Sequence, residues 1–221
     1  DLNRLKKLGL IDNVTLFPHG ILPVSSFKRR NQGKKYKKQK LHLSSYGFCL
    51  PNKGFPELIK AISILQKDSF NCKLSLYTSI YDSESSLRLY QQLIVLINEL
   101  NLKKTIKINP SFLSDDQVLD KLYKTDLVIF PYQSTNESAS GAVRQGISSV
   151  TPVAVTPLSI FDDVSDVVYK LPGTTPSLIA QGIREWTNKY YGQSMGERER
   201  RWLEESSFTK LGTRLQGLIK S

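Results

Sequence analysis

The chain has 221 residues, 39% of them hydrophobic and 23% charged, with a formal net charge of +11. That much apolar material builds one large or two small cores and excludes intrinsic disorder, and no run approaches the roughly 18 consecutive apolar residues of a membrane-spanning helix. Only Cys49 and Cys72 occur, without C-x-x-C spacing or a histidine nearby in sequence, so neither a zinc site nor a disulfide framework is expected and a reducing compartment is the default.

From the N-terminus, Leu2, Leu5 and Leu8 predict a short helix, and residues 14–17 a short strand that stops at Pro18-His19-Gly20. The chain opens on Asp1 rather than Met, and further residues are expected before it. The basic excess comes next: residues 1–40 hold 11 Lys or Arg against Asp1 and Asp12, whereas 41–221 hold 20 against 18 acids. Eight of those cations lie within 28–40. Such a segment reads as a solvated linker extended by self-repulsion, as a surface for anionic lipid or polymer, or as a nucleic-acid arm. Tyr36 is the one aromatic among the charges, so stacking on bases is poorly served and nucleic acid is the least favoured partner.

Beyond residue 40, short apolar runs alternate with helical patterns. The runs 41–46, 72–79, 105–109, 126–130, 152–155 and 167–170 predict strands, several of them apolar with little alternation, as in parallel sheets covered on both faces. Between them, Phe55, Leu58, Ile59, Ile62 and Leu65 recur at helical spacing, as do Leu93, Leu96, Ile97 and Leu100, and Val118, Leu119, Leu122 and Tyr123. Ser114 followed by Asp115 and Asp116 predicts an N-cap and a first turn matched to the helix dipole. After 174 the pattern is helical to the end, with Trp186 and Trp202 as anchors. The fold class is therefore α/β: a doubly wound, Rossmann-like parallel sheet of about six strands, with ligands expected beyond the carboxyl ends of the strands. No internal repeat is present. The organisation reads as 1–24, the end of one domain; 25–40, a basic linker; and 41–221, one complete domain with C-terminal helices.

Three strand-to-helix junctions could carry chemistry. In Gly47-Phe48-Cys49-Leu50-Pro51-Asn52-Lys53-Gly54, glycine allows tight turning and Lys53 could reach phosphate oxygens, although a structural turn with an exposed lysine fits equally; neither a Walker A loop nor G-x-G-x-x-G is present. The segment from Phe130 to Gly146 leaves a strand and enters a helix of small residues, so free N–H groups at Ser138, Ala139, Ser140 and Gly141 would face the strand ends and welcome a diphosphate. Glu137 there could accept hydrogen bonds from sugar hydroxyls or could simply cap the helix. In the third, Asp162 and Asp163 are adjacent and do not converge on a helix or strand, which favours a solvated turn over paired catalytic carboxylates. His19 and His42 are too far apart in sequence to suggest a dyad, and His42, within a strand, is expected to pack.

Together these segments resemble the C-terminal, donor-binding domain of retaining glycosyltransferases of family 4, which have the GT-B fold. The similarity begins near Leu2, where 4–10 and 13–20 look like the closing helix and strand of the family's N-terminal domain. Lys53-Gly54 matches the end of the family's glycine loop, which implies that Lys53 and Gly54 hold the donor diphosphate, although Phe48 stands where the loop arginine is usual. Glu137 matches the first of two glutamates separated by seven residues, implying a catalytic residue that contacts the donor sugar. Gln145 stands at the second, implying ribose contacts through an amide. Val150 replaces a common glycine before Thr151-Pro152-Val153. The base would lie near Phe112 and Leu113, held through backbone groups.

The resemblance further implies transfer of a hexose-type sugar from a nucleotide-diphosphate sugar, with retention, to a glycan or lipid-linked acceptor. It implies no metal and no cofactor beyond that substrate. The acceptor would sit on an N-terminal domain, so 1–221 is expected to bind donor without turning over alone. A cytoplasmic protein, peripheral at the inner membrane face through 28–40 and without a nucleic-acid partner, is the corresponding expectation. The rival readings are a catalytically inactive nucleotide-sugar-binding module, in which the Phe48 and Gln145 changes have ended transfer, and a nucleic-acid-binding α/β protein using the basic arm.

Overall fold

The computed structural model describes residues 2–10, 17–22, 40–81, 83–135, 137, 139–193 and 196–220. Most of the basic arm, 28–39, and most of the 14–17 strand expectation lie outside these; Phe17 itself is not in a strand. The leucine spacing at the start does give a helix, α1 (Leu2–Lys7).

Six parallel strands follow: β1 (Leu41–Phe48), β2 (Cys72–Ser79), β3 (Ile106–Asn109), β4 (Leu127–Phe130), β5 (Val153–Val155) and β6 (Tyr169–Lys170), in the spatial order β3-β2-β1-β4-β5-β6. The expected α/β sheet is thus present, with some strands shorter than predicted. Asp126 does not extend β4; its carboxylate accepts from the backbone N–H of His42, and its own N–H donates to the His42 carbonyl. Pro152 has no N–H to pair and contributes only its carbonyl, to Val128. The pairing of β6 covers two residues, so 167–168 lie outside it.

Alternating side chains along each strand divide between two cores. Leu127 and Ile129 of β4 join the face covered by α2 (Phe55–Lys67), α3 (Glu84–Glu99) and α6 (Pro176–Tyr190), whereas Val128 and Phe130 join the other. That second face holds α4 (Asp115–Tyr123), α5 (Gly141–Ser148) and a 3₁₀ helix (Ser159–Val164). Both faces being covered explains why the strands read as apolar runs. Each fully buried Leu, Ile or Phe contributes roughly 1.5–3 kcal/mol.

Trp186 is buried and Trp202 partly so. The C-terminal region is not one continuous helical run: α6 ends at Tyr190, and α7 (Glu197–Glu205) and α8 (Phe208–Lys220) meet at a break. At that break the N–H of Ile21 donates to the Ser206 carbonyl and the N–H of Phe208 donates to the Ile21 carbonyl, at 2.9 and 3.0 Å. The 17–22 segment is thereby seated on the domain. Cys49 and Cys72 are buried and free.

Candidate active site

The strand order reverses between β1 and β4: the chain leaves β1 toward α2 on one face and β4 toward α5 on the other. Adjacent strands whose connections diverge leave a crevice at their carboxyl ends. A cleft of about 450 Å³ opens there.

The loops after β1 and β4 are tied together below the cleft. The backbone N–H of Gln133 donates to the Asn52 carbonyl at 2.8 Å. Gly54 has φ 76, and a Cβ built there would lie 1.7 Å from the Pro131 carbonyl oxygen. Only glycine permits both that conformation and that approach. Lys53 is consequently delivered to the cleft: its Nζ stands 3.4 Å from Glu137 Oε2 and 4.2 Å from the centroid of the Tyr132 ring. The Lys53 side chain is 15% exposed and that of Glu137 58%, so the cation is sheltered and the carboxylate open to solvent.

Glu137 is not the cap of α5. Ser140 is, its Oγ accepting from the N–H of Val143 at 3.3 Å and sharing a hydrogen bond with the buried Tyr132 hydroxyl at 3.1 Å. The following N–H groups, at Gly141 and Ala142, border the cleft at the positive end of the helix dipole.

Half-buried Tyr46 and Gln145 and exposed Asp115 also line the cleft. Gln145 Nε2 donates to Asp115 Oδ1. Burial pushes the Tyr46 phenol up from its ordinary value, the Asp115 carboxylate adds to this, and a hydrogen bond to Gln145 opposes it. Phe48 is 42% exposed on the rim, edge-on to Tyr81 at 5.4 Å, and Phe112 is 75% exposed nearby.

Of the residues nominated from sequence, Lys53, Phe112, Glu137, Ser140, Gly141 and Gln145 line this cleft. Gly54, Ala139 and Leu113 do not: Gly54 is buried behind Lys53 as the N-cap of α2, Ala139 precedes the helix, and Leu113 packs against the second core. Ser138 lies outside the described residues. Asp162 and Asp163 diverge as expected, the first toward Lys170 and the second toward Arg144. His42 bonds Ser75 Oγ through its ring, while His19 faces Phe208, so the two histidines form no dyad.

Sequence reading passed over the far wall. Arg144, buried on α5, donates to the carbonyls of His19 and Ser140 at 3.0 and 3.2 Å and pairs with Asp163. It thereby fixes the His19–Gly20–Ile21 edge of the cleft across 125 positions of sequence. An arginine inside a helix of small and apolar residues was the available signal. Among the described residues no three His, Cys, Asp or Glu converge as a metal would require, and no helix is long and apolar enough to cross a membrane.

No family model and no curated protein matches the sequence. Solved structures do. A glycosyltransferase from Rickettsia africae ESF-5 superposes with TM-score 0.76 at 14% identity, over 98% of this chain and 61% of that one. A UDP-forming α,α-trehalose-phosphate synthase from Burkholderia xenovorans gives 0.71 at 11% identity, over 92% and 51%. Anabaena HepE, solved in complex with UDP and glucose, gives 0.69 at 12% identity, over 82% and 48%. The chain therefore spans about half to three-fifths of these neighbours. Its neighbours are GT-B glycosyltransferases, and the likeness shows the fold: the Rossmann-like sheet of their C-terminal domains.

Proposed function

We propose that this chain is the donor-binding half of a metal-independent retaining glycosyltransferase of the family 4 type, which moves a hexose-type sugar from a nucleoside diphosphate to a glycan or lipid-linked acceptor. The observation that carries the reading is the meeting of Lys53 and Glu137, 3.4 Å apart, beside the N-terminus of α5 at a strand-order reversal. A cation and fixed N–H dipoles there suit a diphosphate, and negative charge builds on that group as the glycosidic bond breaks. Lys53 and the backbone of Ser140 and Gly141 would hold the leaving diphosphate. Glu137 would accept hydrogen bonds from the sugar, Gln145 would face the ribose, and the turn at Phe112 would meet the base, with Leu113 anchoring that turn in the second core. Gly54 serves by placing Lys53. The acceptor belongs to a domain outside this chain, and the arm at 28–40 would hold the cytoplasmic protein to anionic lipid at about 1 kcal/mol per cation.

A thermal-shift panel of UDP, GDP, ADP and their sugars tests this. A ligand at 100 times its Kd adds about 2.7 kcal/mol of stability, which for a domain of this size raises Tm by roughly 5–10 °C. No shift with any of them would overturn the reading. One observation favours a second reading, binding without transfer: Phe48 presents an uncharged ring packed on Tyr81, in the place where the resembling family has an arginine. Donor hydrolysis by the full-length protein separates the two.

A further inference from the structure

The end of the sheet remote from the cleft carries a charge that the donor site does not use. All six strands run parallel, so their starts gather at one pole and the cleft lies at the other. Leu41 pairs with Cys72 and Leu74 with Ile106. Lys40, Lys73 and the Lys103–Lys104 turn therefore stand at the starts of three adjacent strands, each about 5 Å from the next. All four lysines are exposed, and none forms an ion pair among the described residues. Lys67 lies at the same pole, but in the last turn of α2, where it suits the negative end of that helix. The four have no such reason: Lys103 and Lys104 lie beyond the end of α3 at Glu99, and Lys40 and Lys73 belong to no helix. The acids around them are largely engaged. Asp68 pairs with Arg184, Asp120 pairs with Lys124, and Asp126 is buried against the His42 backbone. Among the described residues of this corner, Glu99 is the acid left to oppose the lysines. Lys40 is also where residues 28–39, with seven cations and no acid, join the domain.

We propose that this lysine corner is the face by which the folded domain docks on an anionic lipid surface, with its cleft pointing away from the lipid. The inference deepens the reading of 28–40 given above by adding folded residues to it. Four lysines and no arginine supply point charges rather than the planar forks that grip a single phosphate. The exposed aromatic and large apolar side chains lie elsewhere, so neither stacking on bases nor insertion among acyl chains is served here. What remains is attraction between diffuse charges, which a layer of anionic headgroups offers. The geometry has a consequence for the substrate. β1 is 8 residues long, about 26 Å, so a docked domain holds its cleft roughly that far above the headgroups. On the nucleotide-sugar reading, the acceptor is then the outer end of a glycan chain rather than a sugar attached directly to its lipid.

The test is co-sedimentation of the whole chain with vesicles of phosphatidylcholine alone or with about one-third phosphatidylserine. The wild type should bind the anionic vesicles only, and salt at about 0.3 M should release it. Replacing Lys40, Lys73, Lys103 and Lys104 by glutamine, with 28–39 untouched, should weaken binding by about fivefold for each lysine that faces the lipid and at least about tenfold in all. Exposed substitutions of this kind should leave Tm within a few degrees and any UDP response unchanged, which separates lost docking from a lost fold. Cys49 and Cys72 are buried, so single labels can be placed by Asn98→Cys, in the last turn of α3, and by Ser134→Cys, beside the cleft. Headgroup-spin-labelled lipid should quench a fluorophore on the first and spare one on the second. A four-lysine variant that binds like the wild type, or a label at 134 quenched as strongly as one at 98, would overturn the inference and leave the lipid reading of the arm standing. A wild type that ignores anionic vesicles removes both. Tighter binding to a single-stranded polynucleotide than to the vesicles at the same salt would make this corner a nucleic-acid face instead. The nucleotide panel reads the opposite pole and is independent of all these outcomes.

Discussion

Replacing Lys53 by methionine separates a ligand-binding lysine from a structural one. In the free protein its ammonium is 3.4 Å from Glu137 and 4.2 Å over the Tyr132 ring. Glu137 is 58% exposed, so its charge returns to water when the lysine is removed and no buried ion is stranded. The pair at this rim stabilises the fold by roughly 0.2–1 kcal/mol and the ring contact by about 0.5–1 kcal/mol. Methionine keeps the apolar stem packed, so the folding loss should stay at about 1–2 kcal/mol. A bound diphosphate, by contrast, loses a charge-assisted hydrogen bond from a sheltered ammonium, about 1.5–3 kcal/mol or some 10- to 150-fold in Kd. Calorimetry at a temperature where both proteins are fully folded reads the second quantity, and urea midpoints read the first. Glu137→Gln should move nucleoside diphosphate binding by less than about fivefold, toward tighter, because the anion no longer competes with Glu137 for Lys53. The same change should weaken the intact sugar donor. Unchanged UDP affinity in Lys53→Met, or a loss no larger than the loss of stability, would refute the assignment.

Val150 follows the C-cap of α5 with φ 58, its N–H bonded to the Ile147 carbonyl at 3.0 Å. The left-handed conformation costs an L-residue about 1–2 kcal/mol, partly offset by the extra chain entropy of glycine, so Val150→Gly should stabilise by about 0.5–1 kcal/mol and raise Tm by roughly 1–4 °C. Arg144→Ala should lower the urea midpoint by the equivalent of about 2–4 kcal/mol, since it orphans the His19 and Ser140 carbonyls and the Asp163 partner; a neutral result would mean that the Ile21 bonds to Ser206 and Phe208 suffice to hold this wall. Burial, with Glu185 adding to it, pushes the Tyr169 phenol from 10 up to about 12. The folded protein therefore keeps a proton that the unfolded chain releases, so this contribution is intact below pH 10 and lost as pH rises toward about 12. Tyr169→Phe should flatten its share of that alkaline limb in stability measured against pH.

Whatever depends on neighbours in sequence was legible before the structure. Strand and helix runs follow from periodicity, the Ser114 cap from local hydrogen bonding, and the two-faced core from apolar strands without alternation. Lys53 and Glu137 could be nominated because glycine next to a lysine, and an acid next to small residues at a helix start, are local patterns. What they do to each other was not legible. They are 84 positions apart, and only the reversal between β1 and β4 brings their loops together. Tertiary structure also decided that Ser140 rather than Glu137 caps α5, because Tyr132 reaches Ser140 from the end of β4. It put Gly54 behind the cleft instead of in it, against the Pro131 carbonyl. It made Arg144 a wall of the site by pairing it with His19 and Asp163, and it set Asp115 beside Gln145. The physical reason is common to all of these. Periodicity and caps express energies between residues a few positions apart, whereas a site at strand ends is assembled by crossover connections whose order depends on how the whole sheet packs.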